Sequence, residues 1–214
     1  MKTAIVIGAT GLVGSNVLKQ LVDHPDYDKV IVFSRRAPEI SHAKLIVHIV
    51  DFEKPEDWKH LVQGDVLFSC MGTTLRQAGS KEKQYRIDYH YQFNFAHIAR
   101  ENNVDAMVLI SSAGAKPDSS FFYMRMKGEL ERDLKQLGFP HLVFIKPGPL
   151  EGERQEKRMG ESIGLAVNRF MNKIGLMKKF RPVHGSIVAK AALRAADIQP
   201  QGFYAFQLEE LFEL

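Results

Sequence analysis

Short apolar runs rich in β-branched residues alternate along this chain with segments whose apolar positions recur every three to four residues. The first pattern predicts strands and the second predicts helices. Their alternation predicts βαβ units on a parallel sheet. Strands are expected at Thr3–Ile7, Lys29–Phe33, Leu45–Val50, Asp65–Ser69, Ala106–Ser111 and His141–Lys146, with a short last one at Gly202–Gln207. Helices are expected at Leu12–Val22, Pro55–Leu61, Lys81–Asn102, Phe122–Leu137 and Gly185–Ala196. The stretch Gly152–Phe180 is less regular. No repeat, low-complexity segment or linker divides the chain, so the expected fold is one α/β domain with a doubly wound, Rossmann-like parallel sheet. Residues 150–182 would form a substrate-side or lid insertion. Ligands of such sheets bind at the carboxyl ends of the strands.

The first strand runs into Gly8-Ala9-Thr10-Gly11-Leu12-Val13-Gly14, where three glycines at three-residue steps open the first helix. Backbone amides in such a turn approach a phosphate closely, and the helix dipole favours its charge. The second strand ends Ser34-Arg35-Arg36, where a fold that grips the 2′-hydroxyl of NAD carries an acid. A guanidinium suits a 2′-phosphate instead, so NADP is the expected cofactor. At the third strand tip, Asp51 either holds an adenine amino group, with Phe52 covering the ring, or caps the following turn. The fourth ends Cys70-Met71-Gly72-Thr73, small enough for backbone to pass near a cofactor ribose. Cys70 itself is a buried filler.

The fifth strand ends Ser111-Ser112, and Tyr123 and Lys127 follow at i, i+4 on the next helix. On one helix face an ammonium beside a phenol favours the phenolate and suits it to acid–base work near neutral pH. A serine at the strand tip would hydrogen-bond a substrate carbonyl, and a nicotinamide would exchange the hydride.

Composition sets the remaining bounds. The 214 residues suffice for one full core. A net charge of +4 lacks the dense basic patch of a nucleic-acid binder. The single cysteine excludes an internal disulfide and fits a reducing compartment. No run has the length and apolarity to span a membrane, and Met1-Lys2 precedes no cleavage-site pattern, so the expected location is the cytoplasm. The eight histidines form no metal-binding motif, and no metal is expected.

These features together resemble the short-chain dehydrogenase/reductase superfamily, in its atypical branch. More narrowly, Ser69 to Thr74 with Ala78-Gly79, Ser111-Ser112, Phe122-Tyr123-x-x-x-Lys127-Gly128-Glu129 and Lys146-Pro147-Gly148 resemble the oxidoreductases similar to the HIV-Tat-interacting protein. The resemblance implies NADPH binding and a Ser–Tyr–Lys site. Ser112 aligns with the family serine, with Ser111 the alternative. Tyr123 would be the proton donor, and Lys127 would bind the nicotinamide ribose and tune Tyr123. Pro147, Gly148 and Leu150 would line the nicotinamide pocket. Two positions depart from the pattern. Asp88 stands where many members hold a relay water with Asn, and Lys146 stands where relatives often carry Arg. The expected function is an NADP-dependent oxidoreductase acting on a small carbonyl or alcohol. The alternative is an NADPH-binding regulatory or scaffold protein, with a homodimer or a protein partner as possible assemblies. A nucleotide-sugar epimerase or dehydratase is a third option, which Arg35 argues against.

Overall fold

The computed structural model describes residues 1–151, 182–198 and 200–214. Seven parallel strands form its main sheet: β1 (Lys2–Ile7), β2 (Tyr27–Ser34), β3 (Leu45–Ile49), β4 (Val66–Ser69), β5 (Ala106–Ile110), β6 (His141–Lys146) and β9 (Gly202–Gln207), in the order β3-β2-β1-β4-β5-β6-β9. The order reverses between β1 and β4. That reversal opens a crevice at their carboxyl ends, where a doubly wound sheet takes its ligand. A second, two-residue pairing joins β7 (Leu150–Glu151) to β8 (Val183–His184).

Alternation along the strands divides the core. On β1, Ala4 and Val6 face α1 (Leu12–Asp23) and α6 (Gly185–Ala196), while Ile5 and Ile7 face the opposite layer. Alanines at 189, 191, 192, 195 and 196 are buried, which gives α6 a slim face for packing beside α1. The opposite layer is aromatic, with Phe33, Phe52, Trp58, Phe95 and Phe144 packed under α4 (Tyr91–Glu101) and α5 (Phe122–Lys135). Both faces of the sheet are therefore covered, as a parallel sheet requires.

Strand boundaries agree with the sequence expectation to within two residues, and α6 has the expected bounds. Two helices differ. The segment expected as Pro55–Leu61 is two 3-10 turns, Pro55–Asp57 and Lys59–Leu61, because buried Trp58 interrupts it. The long helix expected over Lys81–Asn102 is α3 (Lys81–Tyr85), a π-helical stretch (Arg86–His90) and α4. Such insertions mark functional sites more often than plain helix does. Here it carries Asp88, which is fully buried between buried Gln84 and Gln92. A short α2 (Leu75–Ala78) had no sequence signal strong enough to predict it. The lid expected for residues 150–182 lies, apart from its ends, outside the described residues. Among the described residues no helix is long and apolar enough to cross a membrane.

Candidate active site

The glycine turn is a steric solution. Gly8 has φ +77°, and a Cβ there would lie 2.5 Å from the backbone of both Cys70 and Met71. Only glycine lets the exits of β1 and β4 pass so closely. A Cβ on Gly14 would lie 2.1 Å from the Gly8 carbonyl oxygen, so α1 sits directly on the turn. Gly11 donates its amide to that oxygen at 3.0 Å and serves as the helix N-cap. The cap supplies no side-chain acceptor, and the first turn holds no acid. The leading amides, including those of Leu12 and Val13, are left for an outside anion. Ala9 and Thr10 bridge the turn. The arrangement fits a pyrophosphate.

At the tip of β2 the Ser34 hydroxyl is buried and donates to the Arg36 carbonyl at 2.5 Å, which fixes the loop carrying exposed Arg35 and Arg36. Facing it, Tyr91 donates to Glu53 at 2.5 Å and Arg86 donates to the same oxygen at 3.2 Å. Burial and the Glu53 bond push the Tyr91 phenol up to about 12, against the fields of Arg86 and Arg35. Asp51 caps its turn, accepting the Glu53 amide at 3.0 Å. Phe52 is buried, stacked on Tyr91 at 5.5 Å and set edge-on to Trp58.

Beyond β4, the Thr73 amide donates to Asp88 at 2.7 Å, and Gln84 donates to the Thr73 carbonyl at 3.2 Å. Gln92 accepts from Ser69 at 2.8 Å and donates to the Asp88 carbonyl at 2.6 Å. These bonds hold the Cys70–Thr73 segment from behind. Burial pushes the Cys70 thiol up to about 12, against the opposing field of Lys127, which disfavours the thiolate that a nucleophile needs.

Lys127 is the centre of the site. Its side chain is 2% exposed and faces Asp88, Glu131 and Cys70. Burial pulls its ammonium below the usual lysine range, and the two carboxylates pull it back up. One turn earlier, Tyr123 is 37% exposed, so the phenol reaches solvent while the lysine does not. Helix α5 is pressed onto the loop after β5: a Cβ on Gly128 would lie 2.2 Å from the Lys116 backbone, and Lys116 donates to the Met124 carbonyl at 3.1 Å.

The two serines at the tip of β5 part company. Ser111 is buried and donates to Glu131 at 2.5 Å. Ser112 is half-buried, and its hydroxyl donates to the neighbouring Ala113 carbonyl at 3.3 Å. Pro147 accepts the Ala113 amide at 2.9 Å, which ties the Lys146-Pro147-Gly148 turn to the serine tip. Lys146 donates to Glu131 at 2.8 Å. Leu150 is half-buried in β7. Beside the start of α5 opens a cleft of about 460 Å³ lined by Lys81, Arg86, His90, Tyr85 and Phe122.

Sequence reasoning missed Glu131 and Gln92 and gave Ser69 no role of its own. The i, i+4 spacing from Lys127 does put Glu131 on the same helix face, but its partners on β5 and β6 have no local signature. The structure also gathers His24, Asp26 and Asp197 within 4.8 Å at the amino ends of β1 and β2, where Lys2 pairs with Asp197 at 2.6 Å.

Comparison with known proteins agrees with this layout. The model of the NAD dependent epimerase/dehydratase family matches residues 4–131. "Protein FMP52, mitochondrial" of Saccharomyces cerevisiae is 36% identical over 205 residues, covering 90% of this chain and 86% of that protein. The Candida albicans protein of the same name is 34% identical over 197 residues, 89% and 86% of the two chains. Among solved structures, the Bordetella bronchiseptica enzyme WbmH in complex with NAD+ superposes with a TM-score of 0.72 at 18% identity, covering 97% of this chain and 75% of that one. The mitochondrial names of the relatives overturn the expected cytoplasmic location. A single cysteine reports on reducing conditions and does not distinguish one such compartment from another.

Proposed function

The chain belongs to the NAD dependent epimerase/dehydratase family and is an atypical short-chain dehydrogenase/reductase, and on that premise we propose that it is an NADP-dependent oxidoreductase acting on a small carbonyl or alcohol. The observation that carries this is buried Lys127, held against the Cys70 segment and one helical turn from the partly exposed phenol of Tyr123. A lysine buried at that depth without a task would be costly.

The dinucleotide would lie across the glycine turn, with its pyrophosphate on the amides following Gly11. Arg35 and Arg36 would receive the 2′-phosphate. The Cys70–Thr73 segment and Lys127 would face the nicotinamide ribose, and Pro147, Gly148 and Leu150 would line the ring's pocket. When bound, the nicotinamide supplies or accepts the hydride. The Tyr123 hydroxyl gives its proton to the carbonyl oxygen, or takes one from an alcohol. Its exposure lets solvent restore the proton. The Ser112 hydroxyl donates to the same oxygen and orients it. Lys127 lowers the cost of the phenolate. Replacing Tyr123 with Phe should leave NADPH affinity intact and cut turnover by about 10²–10⁴. Equal turnover in the variant would sink the mechanism.

A second reading follows from Asp88, the acid standing where the superfamily's relay residue is usually Asn. Under it the protein binds NADPH and signals occupancy to a partner. Tight NADPH binding with no turnover on a broad carbonyl and quinone panel would favour it.

A further inference from the structure

We propose that Glu131 is a positioning residue of this site, a buried carboxylate that couples Lys127 to the serine tip and to the Lys146-Pro147-Gly148 turn. The proposal rests on the reading of Tyr123 and Lys127 as the reacting pair. Glu131 is 8% exposed and has three cationic or donor neighbours from three elements. Ser111 at the end of β5 donates to one of its oxygens at 2.5 Å. Lys146 at the end of β6 donates to the other at 2.8 Å. Lys127, one turn back on α5, lies in its field. Asp88 and Cys70 face Lys127 from the π-helical stretch and from β4. Two buried carboxylates, Asp88 and Glu131, thus face two lysines, Lys127 and Lys146.

The geometry explains why Ser111 and Ser112 differ. By taking the Ser111 hydroxyl, Glu131 pins the strand tip and turns its successor outward. By holding Lys146, it anchors the turn whose Pro147 carbonyl receives the Ala113 amide. By facing Lys127, it favours the ammonium that the phenol of Tyr123 needs. Arginine at position 146 would fork onto both Glu131 oxygens and compete with Ser111. Lysine binds one oxygen and leaves the other to the serine.

The test follows the Lys127 side chain itself by lysine-selective NMR, assigned with Lys127→Arg. In the wild type, Lys127 should be an ammonium at neutral pH; a neutral amine there would overturn the proposal. Glu131→Gln keeps the shape and removes the charge, so Lys127 should titrate at lower pH than in the wild type. Lys146→Met removes the competing cation, so Lys127 should titrate at higher pH. Opposite shifts in the two variants are expected. If Glu131→Gln does not fold, an unchanged titration in Lys146→Met refutes the coupling by itself. Turnover in Glu131→Gln should fall on the order of tenfold, less than the loss of a proton donor, with its pH profile displaced. A uniform loss at every pH, with Lys127 unmoved, would mean a purely structural role. The NMR result is independent of turnover, so an inactive wild type would count against the oxidoreductase and not against the coupling.

Discussion

Replacing Gly14 with alanine sets two rules against each other. Gly14 lies inside α1, and helix propensity alone favours alanine there by about 1 kcal/mol. The added Cβ, however, would lie 2.1 Å from the Gly8 oxygen, 2.8 Å from the Gly8 carbonyl carbon and 3.1 Å from the Ala9 Cα. Ordinary contact begins at 3.4 Å, and all three neighbours are backbone, so no flexible side chain can yield. Helix and turn must part by more than an ångström at the oxygen. Overpacking of that kind costs about 1–3 kcal/mol, and the backbone character of the clash puts it at the upper end. The net loss should be about 2 kcal/mol, which for a domain of this size lowers Tm by about 4–8 °C. The same displacement moves the amides that would meet a pyrophosphate. One charge-assisted hydrogen bond is worth about 1.5–3 kcal/mol, so NADPH affinity should fall at least about tenfold. Calorimetry and NADPH fluorescence titration read both quantities. A Gly14→Ala protein with unchanged or higher Tm would refute the steric account. Gly72→Ala is the control, because a Cβ there meets nothing within 4 Å. It should leave Tm alone, and a loss of NADPH affinity would then show the dinucleotide passing that point.

Arg35→Asp should reverse cofactor preference, weakening NADPH by about tenfold or more while sparing NADH; an unchanged ratio in paired titrations would remove Arg35 from the 2′-phosphate site. The Asp133 carboxyl is held below its usual range chiefly by Arg132, with a Tyr89 hydrogen bond at 2.6 Å adding to the effect. A depressed folded value contributes stability that is complete above the ordinary carboxylate range and is lost as pH falls through the folded value. The stability gap between wild type and Asp133→Asn in urea should therefore shrink from about pH 6 toward about pH 3; a constant gap would contradict the pairing. Cys70, with its thiol near 12, should carry on the order of a thousandfold less thiolate at pH 8 than a free cysteine. Rapid alkylation of the native protein would show that the burial is wrong.

Most strands were legible because they are short runs rich in β-branched residues, which a parallel sheet buried on both faces needs, while the last, Gly202–Gln207, has none and was read from its aromatic residues. Helix ends were harder. Trp58 breaks an amphipathic pattern because its indole bonds the Asp51 carbonyl at 2.9 Å, a tertiary bond that no local period encodes. The π-helical stretch was invisible for a related reason. One extra residue in a turn leaves the apolar rhythm of Tyr85, Tyr89 and Phe93 intact while turning Asp88 inward. The cytoplasmic expectation failed differently, since composition constrains the redox state around a protein and not its address.

Within the site, the residues that announce themselves do so through spacing along the chain: Gly8 to Gly14, and Tyr123 with Lys127. Those that make the spacing matter come from elsewhere. Asp88 and Glu131 reach Lys127 from two elements, and Ser111 and Lys146 meet Glu131 from two more. A Tyr-x-x-x-Lys pair has no chemical meaning on an exposed helix, where water would screen the ammonium. Burying a lysine strengthens its field on nearby groups but also favours the neutral amine. Carboxylates must then restore the charge without releasing the burial, and here one, Glu131, lies a turn away on the same helix and the other, Asp88, on the π-helical stretch. The Tyr-x-x-x-Lys spacing is therefore plain in the sequence. The buried charges around Lys127 become visible only once the π-helical stretch, β5, β6 and α5 are brought together.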